Sequence, residues 1–346
     1  MPVFAAATLI PAMLIAAGAA WGGVWIASAV AFMTLFIGLT DELARRADNG
    51  PGGSEFPAGT ALSVILGGVH FVLLTVVIWR IAGDDTLGTM EKAGLFIAAG
   101  LYFGQISNPN AHELIHCRPR WLRNLGSWIY ISLLYGHHSS AHTLVHHIRV
   151  ATPADPATAR RGESLYRYML RAWVGGFREG LQAEIRRSHA AGRPAWRNPY
   201  IVYVGGALGL LALSYLVAGP KGVLFHLWLA AFAQTQLLMS DYVQHYGLMR
   251  RITANGRPVP VGAEHSWNSP HRASAAMMLN APRHSDHHVR PMVQYPALRL
   301  DGDMPMLPRS LPAMCCIALS PNLWRRVMDP RVAEWRAAHD DVTPAA

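Results

Sequence analysis

Charge is what this sequence is shortest of. Asp, Glu, Lys and Arg make up 15% of its 346 residues, where soluble domains carry about 25%. None of the four occurs among the first 40 residues, while 51% of the chain is hydrophobic. Such a composition excludes intrinsic disorder and argues against a soluble cytosolic enzyme. Lysine is nearly missing: only Lys92 and Lys221 occur, so the formal charge of +9 is carried by arginine. Cysteine is confined to Cys117, Cys315 and Cys316, two of them adjacent, which excludes a disulfide framework and a CxxC metal site. No basic residue precedes Arg45. A signal peptide has a positive region ahead of its apolar core, so the N-terminus does not read as one.

Long uncharged runs are what the chain has instead. A membrane span needs about 20 largely apolar residues. Residues 1–40 hold two, at about 3–18 and 23–40, turning near Gly18–Gly23. Further runs at about 57–79, 93–111, 199–219 and 222–241 bring the count to six, the last pair joined by a tight turn at Gly219, Pro220 and Lys221. Gly126–Tyr135 is apolar but too short to cross, and is expected to lie along the interface or dip into it. The fold class expected is an all-α integral membrane protein, one domain over 1–346. Six transmembrane helices carry a histidine-rich helical cap built from 107–198 and 242–346. Of the 30 basic residues, 27 fall in segments 40–58, 107–199 and 241–346, and three in the loops at 80–92 and 218–222. The positive-inside rule then puts both termini and both polar segments in the cytoplasm of a multi-pass inner-membrane protein. Topology accounts for the basic excess, and no motif for nucleic acid is present.

Histidine is the surplus: 17 residues, most of them clustered. His112-Glu113-x-x-His116 has the i, i+4 spacing that sets both rings on one helix face. His142-x-x-x-His146-His147 follows, then His284-x-x-His287-His288, and His245 stands just past the sixth run. Nine candidate ligands exceed what one ion takes, so two metals are expected. Neutral imidazole suits iron, zinc, copper or nickel. His70 and His226, inside spans, read as hydrogen-bonded packing residues, and His189 and His339 as solvated ones. His137 and His138 read as supports beside the second cluster. The HExxH pattern also matches a zinc protease with Glu113 as base, but that reading leaves six histidines unexplained. A metal transporter is a further alternative, and it predicts more ionisable residues within the spans than His70 and His226.

The order HxxxH, HxxxHH, HxxHH resembles the membrane fatty-acid desaturase and hydroxylase superfamily. Several stretches are similar to integral-membrane alkane 1-monooxygenases. They are Asn110–His116, His147–Pro156, Gly162-Glu163-Ser164, Gln244–Leu248, Glu264–Ser269, Arg283–His288 and Arg326–Val332. The likeness runs from the first span to about residue 335. Ala141 and Val145 stand where alkane hydroxylases usually have Glu and Gly, and this form of the second box looks closer to the related xylene monooxygenases.

The resemblance implies two non-haem irons on His112, His116, His142, His146, His147, His245, His284, His287 and His288, with the allotment to each iron open. It implies hydroxylation of a terminal alkyl or aryl-methyl C–H bond: one oxygen atom enters the substrate and the other leaves as water. An acyl-lipid desaturase or hydroxylase is the alternative within the superfamily. Glu113, Asp155, Glu264, Asn268 and Asp286 are candidates to orient the imidazoles, or else caps and partners of arginines. His265 and His271 read as supports rather than tenth ligands. The chain holds no electron-entry module, so a separate rubredoxin or ferredoxin-type donor with its reductase is implied. The apolar substrate is expected to arrive from the bilayer.

Overall fold

The computed structural model describes residues 1–43 and 56–340. Arg45 and Arg46, counted above among the loop charges, and the residues after Asp340 lie outside the described residues. The described chain is helical throughout, with isolated bridges in place of any sheet.

Helix α1 (Pro2–Trp21) and helix α2 (Gly23–Leu43) form an antiparallel hairpin. They turn at Gly22 and Gly23, whose φ of 67° and 55° suit glycine. Glu91, in the first turn of the helix that starts at Thr89, clasps this turn by accepting a hydrogen bond from the Gly23 amide at 2.7 Å. Helix α3 (Phe56–Ile78) runs on through a π turn at Trp79–Gly83. Helix α4 (Thr89–Tyr102) passes through a second π turn, Phe103–Ser107, into helix α5 (Asn108–Ile115). Pro109 accounts for that turn: it lacks an amide hydrogen and crowds the carbonyl four residues back, and the wider turn relieves both.

Helix α6 (Arg120–Ser132) holds most of the short apolar segment, and its last turn, Ile129 to Ser132, is buried. Its end reverses at Leu133–Gly136, with Leu134 at φ 56°. Carbonyls at such an end are costly where no water reaches them. Here His226 Nε2 donates to the Ser132 carbonyl at 2.6 Å and Gln234 Nε2 to Leu133 at 2.7 Å. His70 bridges Ser107 and Ser132 at 2.9 and 2.7 Å. His70 and His226 are thus hydrogen-bonded packing residues that fix the end of α6.

Helix α7 (His138–Ala141) leads through a π turn, His142–His146, to a final turn at His147–Arg149. Helix α8 (Leu165–Ala190) begins with a Ser164 cap. Helix α9 (Pro199–Gln244) is 46 residues long. At 1.5 Å per residue that is about 70 Å, twice a bilayer core. It is broken at Ala218 and Gly219 (φ 61°), just before Pro220, where the turn was expected. Four helices in the described residues are long and apolar enough to cross a membrane: Pro2–Trp21, Gly23–Leu43, Gly59–Gly83 and Pro199–Gln244.

The rest forms the cap: α10 (Arg272–Met277), α11 (His284–Val289), α12 (Leu311–Ala318) and α13 (Pro321–Asp340). Trp324, Met328 and Val332 of α13 are fully buried against Tyr242 and Tyr246. Tyr246 OH donates to Asp329 and accepts from the Gly162 amide, both at 2.7 Å. Two of the quoted sequence motifs, around Gly162 and Asp329, therefore meet on this one tyrosine. Gly247 (φ 73°) is required here, since a Cβ would sit 2.8 Å from Val332.

Candidate metal centre

The nine histidines converge into two adjoining groups. His112, His116, His142, His147 and His287 form one, and His146, His245, His284 and His288 the other. Within each group the ligand atoms lie within 4.8 Å of one another. Helix α5 supplies His112, and its C-cap His116, to the five-histidine group, as the i, i+4 spacing required. His245, at the end of α9, goes to the four-histidine group. The segments 142–147 and 284–288 each serve both.

The division of the second box depends on its π turn. In an α-helix at 3.6 residues per turn, His142 and His147 would point about 140° apart. The amide of His147 instead bonds to the carbonyl of His142, five residues back, which stacks these two residues on one side. Their Nε2 atoms are 2.9 Å apart, and His146 is turned toward the other group.

This packing fits cations. His112 Nε2 is 2.8 Å from His142 Nε2, and His287 Nε2 is 3.2 Å from His147 Nε2. In the other group His284 Nε2 is 2.9 Å from His245 Nε2 and 3.1 Å from His288 Nε2. Hydrogen bonds between neutral rings satisfy some of these atoms, yet Nε2 of His116 and of His146 is buried without a partner. A metal ion in each group would take all the lone pairs. Burial, reinforced by neighbouring rings, holds His112, His142, His147, His245, His287 and His288 well below the ordinary imidazole pKa. The same causes bring His116 down to about 4 and His284 to about 3. The neutral, metal-binding form is thus the resting one. At His146 burial also pulls down, but the charge and hydrogen bond of Asp155 outweigh it and raise the pKa.

The supporting candidates separate by position. Asp155 accepts from His146 Nδ1 at 2.9 Å and from Thr158 at 2.7 Å, leaving His146 Nε2 directed to its group. Asn268 accepts from the Ser285 amide at 2.9 Å and donates to the Ser266 carbonyl at 2.9 Å, tying the start of α11 to the strand-like segment beside His245. Ser266 Oγ lies 3.4 Å from His245 Nδ1. Asp286 faces away, paired with Arg290 and the Arg299 amide. Glu113 accepts from the Tyr295 backbone, and burial raises its pKa to about 8. Glu264 and His265 lie together near Trp335 of α13, and His271 contacts Ser269 at 3.0 Å. His137 packs against Trp173 and Phe177, and His138 against Tyr130 and Tyr135.

Two small cavities of about 30 and 50 Å³ abut the histidines. The first is lined by His142 and His146 with Ala141 and Val145, the second by His112 and His284 with Tyr130 and Leu237. Asp241 lines both, and sequence reasoning missed it. The available signal was a carboxyl inside the apolar run of α9, since an ionisable residue in a span marks function by default. Placing the end of the span at 241 hid it at the margin.

Residues 92–316 match the fatty acid desaturase family. The chain belongs to that family. Within the fatty acid desaturase family, alkane 1-monooxygenase 1 of Alcanivorax borkumensis is 35% identical over 276 residues, covering 79% of this chain and 67% of that protein. Alkane 1-monooxygenase 2 of Pseudomonas aeruginosa is 36% identical over 265 residues, 76% and 70% of the two. The xylene/toluene monooxygenase hydroxylase component of Pseudomonas putida is 26% identical over 324 residues, 91% and 85%. The protein is an alkane 1-monooxygenase-like oxidoreductase, a membrane protein with two buried histidine groups able to hold metal ions.

Proposed function

We propose that the protein is a membrane di-iron monooxygenase that hydroxylates a terminal alkyl or aryl-methyl C–H bond of an apolar substrate. The observation that carries this reading is the division of nine imidazoles into adjoining groups of five and four with inward Nε2 atoms. An unactivated C–H bond is beyond side-chain acid and base chemistry, so a redox metal with dioxygen is required, and imidazole ligands suit iron. Two irons, when bound, supply the activation of dioxygen, drawing two electrons and two protons per hydroxyl formed and water released. The protein holds the rings in place through Asp155 and the Ser266–Asn268–Ser285 links, and keeps water from the centre by burying it.

Six spans with both termini in the cytoplasm accommodate the helices. Broken α9 counts as two crossings, and the helical stretch at about 93–111 as another. Substrate enters from the bilayer toward the small cavities, where Ala141 and Val145 favour compact or methyl-aromatic compounds. Electrons come from a rubredoxin or ferredoxin-type donor and its reductase, docking on the arginine-rich face. Metal analysis of purified protein should give about two irons per chain; a single zinc would overturn the reading. Feeding alkanes, xylenes and fatty acids should yield alcohols from the first two, whereas an unsaturated acyl product would mark a desaturase. A reporter fused after Ala346 should be active in the cytoplasm only.

A further inference from the structure

A larger cavity, with His116 on its wall, lies outside the two small ones described above. It holds about 700 Å³, within the range of roughly 300–1,000 Å³ typical of ligand sites. It lies between α6, the end of α8 and the start of α9. Three arginines line it: Arg123, Arg187 and Arg197. Glu184 is the acid among its lining residues; it is buried and accepts from Ser140 at 2.8 Å, with Arg187 3.6 Å away. The groove therefore keeps a net positive charge.

Two of the arginines are held in place. Arg123 donates through Nη1 to the carbonyls of Cys117 and Arg118, which leaves its other nitrogens to the groove. Arg197 stacks on Trp196 with 4.9 Å between guanidinium and ring. The adjoining wall is apolar, made by Trp128, Ile131 and Val202. Trp196 is 67% exposed just before α9 begins at Pro199, and Trp128, 41% exposed, lies further along beside Gly206, where a Cβ would meet its ring at 3.0 Å. Exposed tryptophans at the end of a span mark the headgroup boundary, so charged and apolar walls meet where a lipid has its phosphate above its acyl chain.

We propose that this groove seats the phosphate of an anionic phospholipid, with the first part of an acyl chain against Trp128, Ile131 and Val202. The chemistry recognised is a phosphate anion, which planar guanidinium groups bind through paired hydrogen bonds. The apolar wall selects the lipid-borne phosphate over the free ion. The inference uses the reading that α9 enters the membrane at Pro199, and its test reads lipid retention rather than iron or turnover.

The test uses full-length protein in nanodiscs of phosphatidylcholine with a graded fraction of phosphatidylglycerol, the retained lipid being identified by native mass spectrometry. The parent should retain phosphatidylglycerol over phosphatidylcholine. Arg187→Gln with Arg197→Gln should cut that preference about tenfold or more. Arg161→Gln with Arg167→Gln removes the same charge from exposed sites outside the groove and should leave it intact. Inorganic phosphate at millimolar concentration should not displace the lipid. Phosphatidylglycerol brominated on its acyl chain should quench the parent's tryptophan fluorescence, and Trp128→Phe should remove much of that quenching. Equal losses in the two arginine pairs, equal retention of phosphatidylcholine, full displacement by phosphate, or quenching unaltered in Trp128→Phe would each overturn the proposal.

Discussion

The two histidine groups solve one problem in different ways. The five-histidine group relies on number: three of its members, His112, His116 and His147, are only half-buried. Among the described residues no carboxylate hydrogen-bonds one of its rings. The four-histidine group is buried throughout and relies on orientation, with Asp155 on His146 and the Ser266–Asn268–Ser285 links beside His245 and His284. A ring held by a partner needs no reordering to meet its metal. A group with a ligand to spare tolerates looser rings, because losing one still leaves four nitrogens. On the function proposed above, redundancy at one ion and rigidity at the other are alternative routes to retention.

The harshest way to break that comparison is to remove one ligand from each group. His284→Ala should leave about one iron per chain and abolish turnover, because three nitrogens hold an ion poorly. His116→Ala should keep close to two irons and lose activity less severely. Metal analysis of both purified variants decides; equal losses would mean that the fifth histidine gives no redundancy. The orienting partner comes next. Asp155→Asn should lower metal affinity or activity by about 10- to 100-fold, with the loss confined to one ion. A parallel loss of both ions would show that the groups are coupled through the 142–147 segment rather than independently held.

The sequence made the nine histidines legible because imidazoles at helical spacing are rare and conspicuous. Their allotment was hidden. HxxxHH suggests that His142 and His146 share a face, but the π turn pairs His142 with His147, and nothing in the letters distinguishes a π turn from an α one. Proximity in sequence was also a poor guide to support: Asp286, flanked by ligands, pairs with Arg290, while Asn268 reaches Ser285 from 17 positions away. The break at Gly219–Pro220 was legible, since glycine and proline act locally. The buried end of α6 was not, because its carbonyls are satisfied by His226 and Gln234, which are remote in the chain.

Val145 tests the cavity that both groups reach, since His142 of one and His146 of the other line it together. Val145→Gly should open it and shift preference toward long linear alkanes by about tenfold, the scale of a methyl group or two in an apolar pocket. Competition between octane, hexadecane and xylene with one electron donor measures the shift. A parent that already prefers hexadecane would contradict the role given to this side chain and leave the metal comparison intact.

The smallest expected effect comes from the carboxyl between two histidines of the five-histidine group. Glu113 lies between His112 and His116, and if it were a concealed partner of that group the contrast drawn above would fail. Its neighbours argue otherwise. The carboxyl accepts from the Tyr295 backbone, and its pKa is raised to about 8 by burial, so the neutral acid is the main form at neutral pH. A glutamine has nearly the same shape, carries no charge, and keeps an oxygen to accept the Tyr295 bond. Glu113→Gln should therefore retain both irons and turnover within about twofold of the parent, since no buried acceptor is lost. A protease using Glu113 as its base would lose its activity with the same substitution. If Glu113→Gln instead sheds iron as Asp155→Asn does, the five-histidine group has an orienting carboxylate after all, and ligand number alone does not explain how it holds its metal.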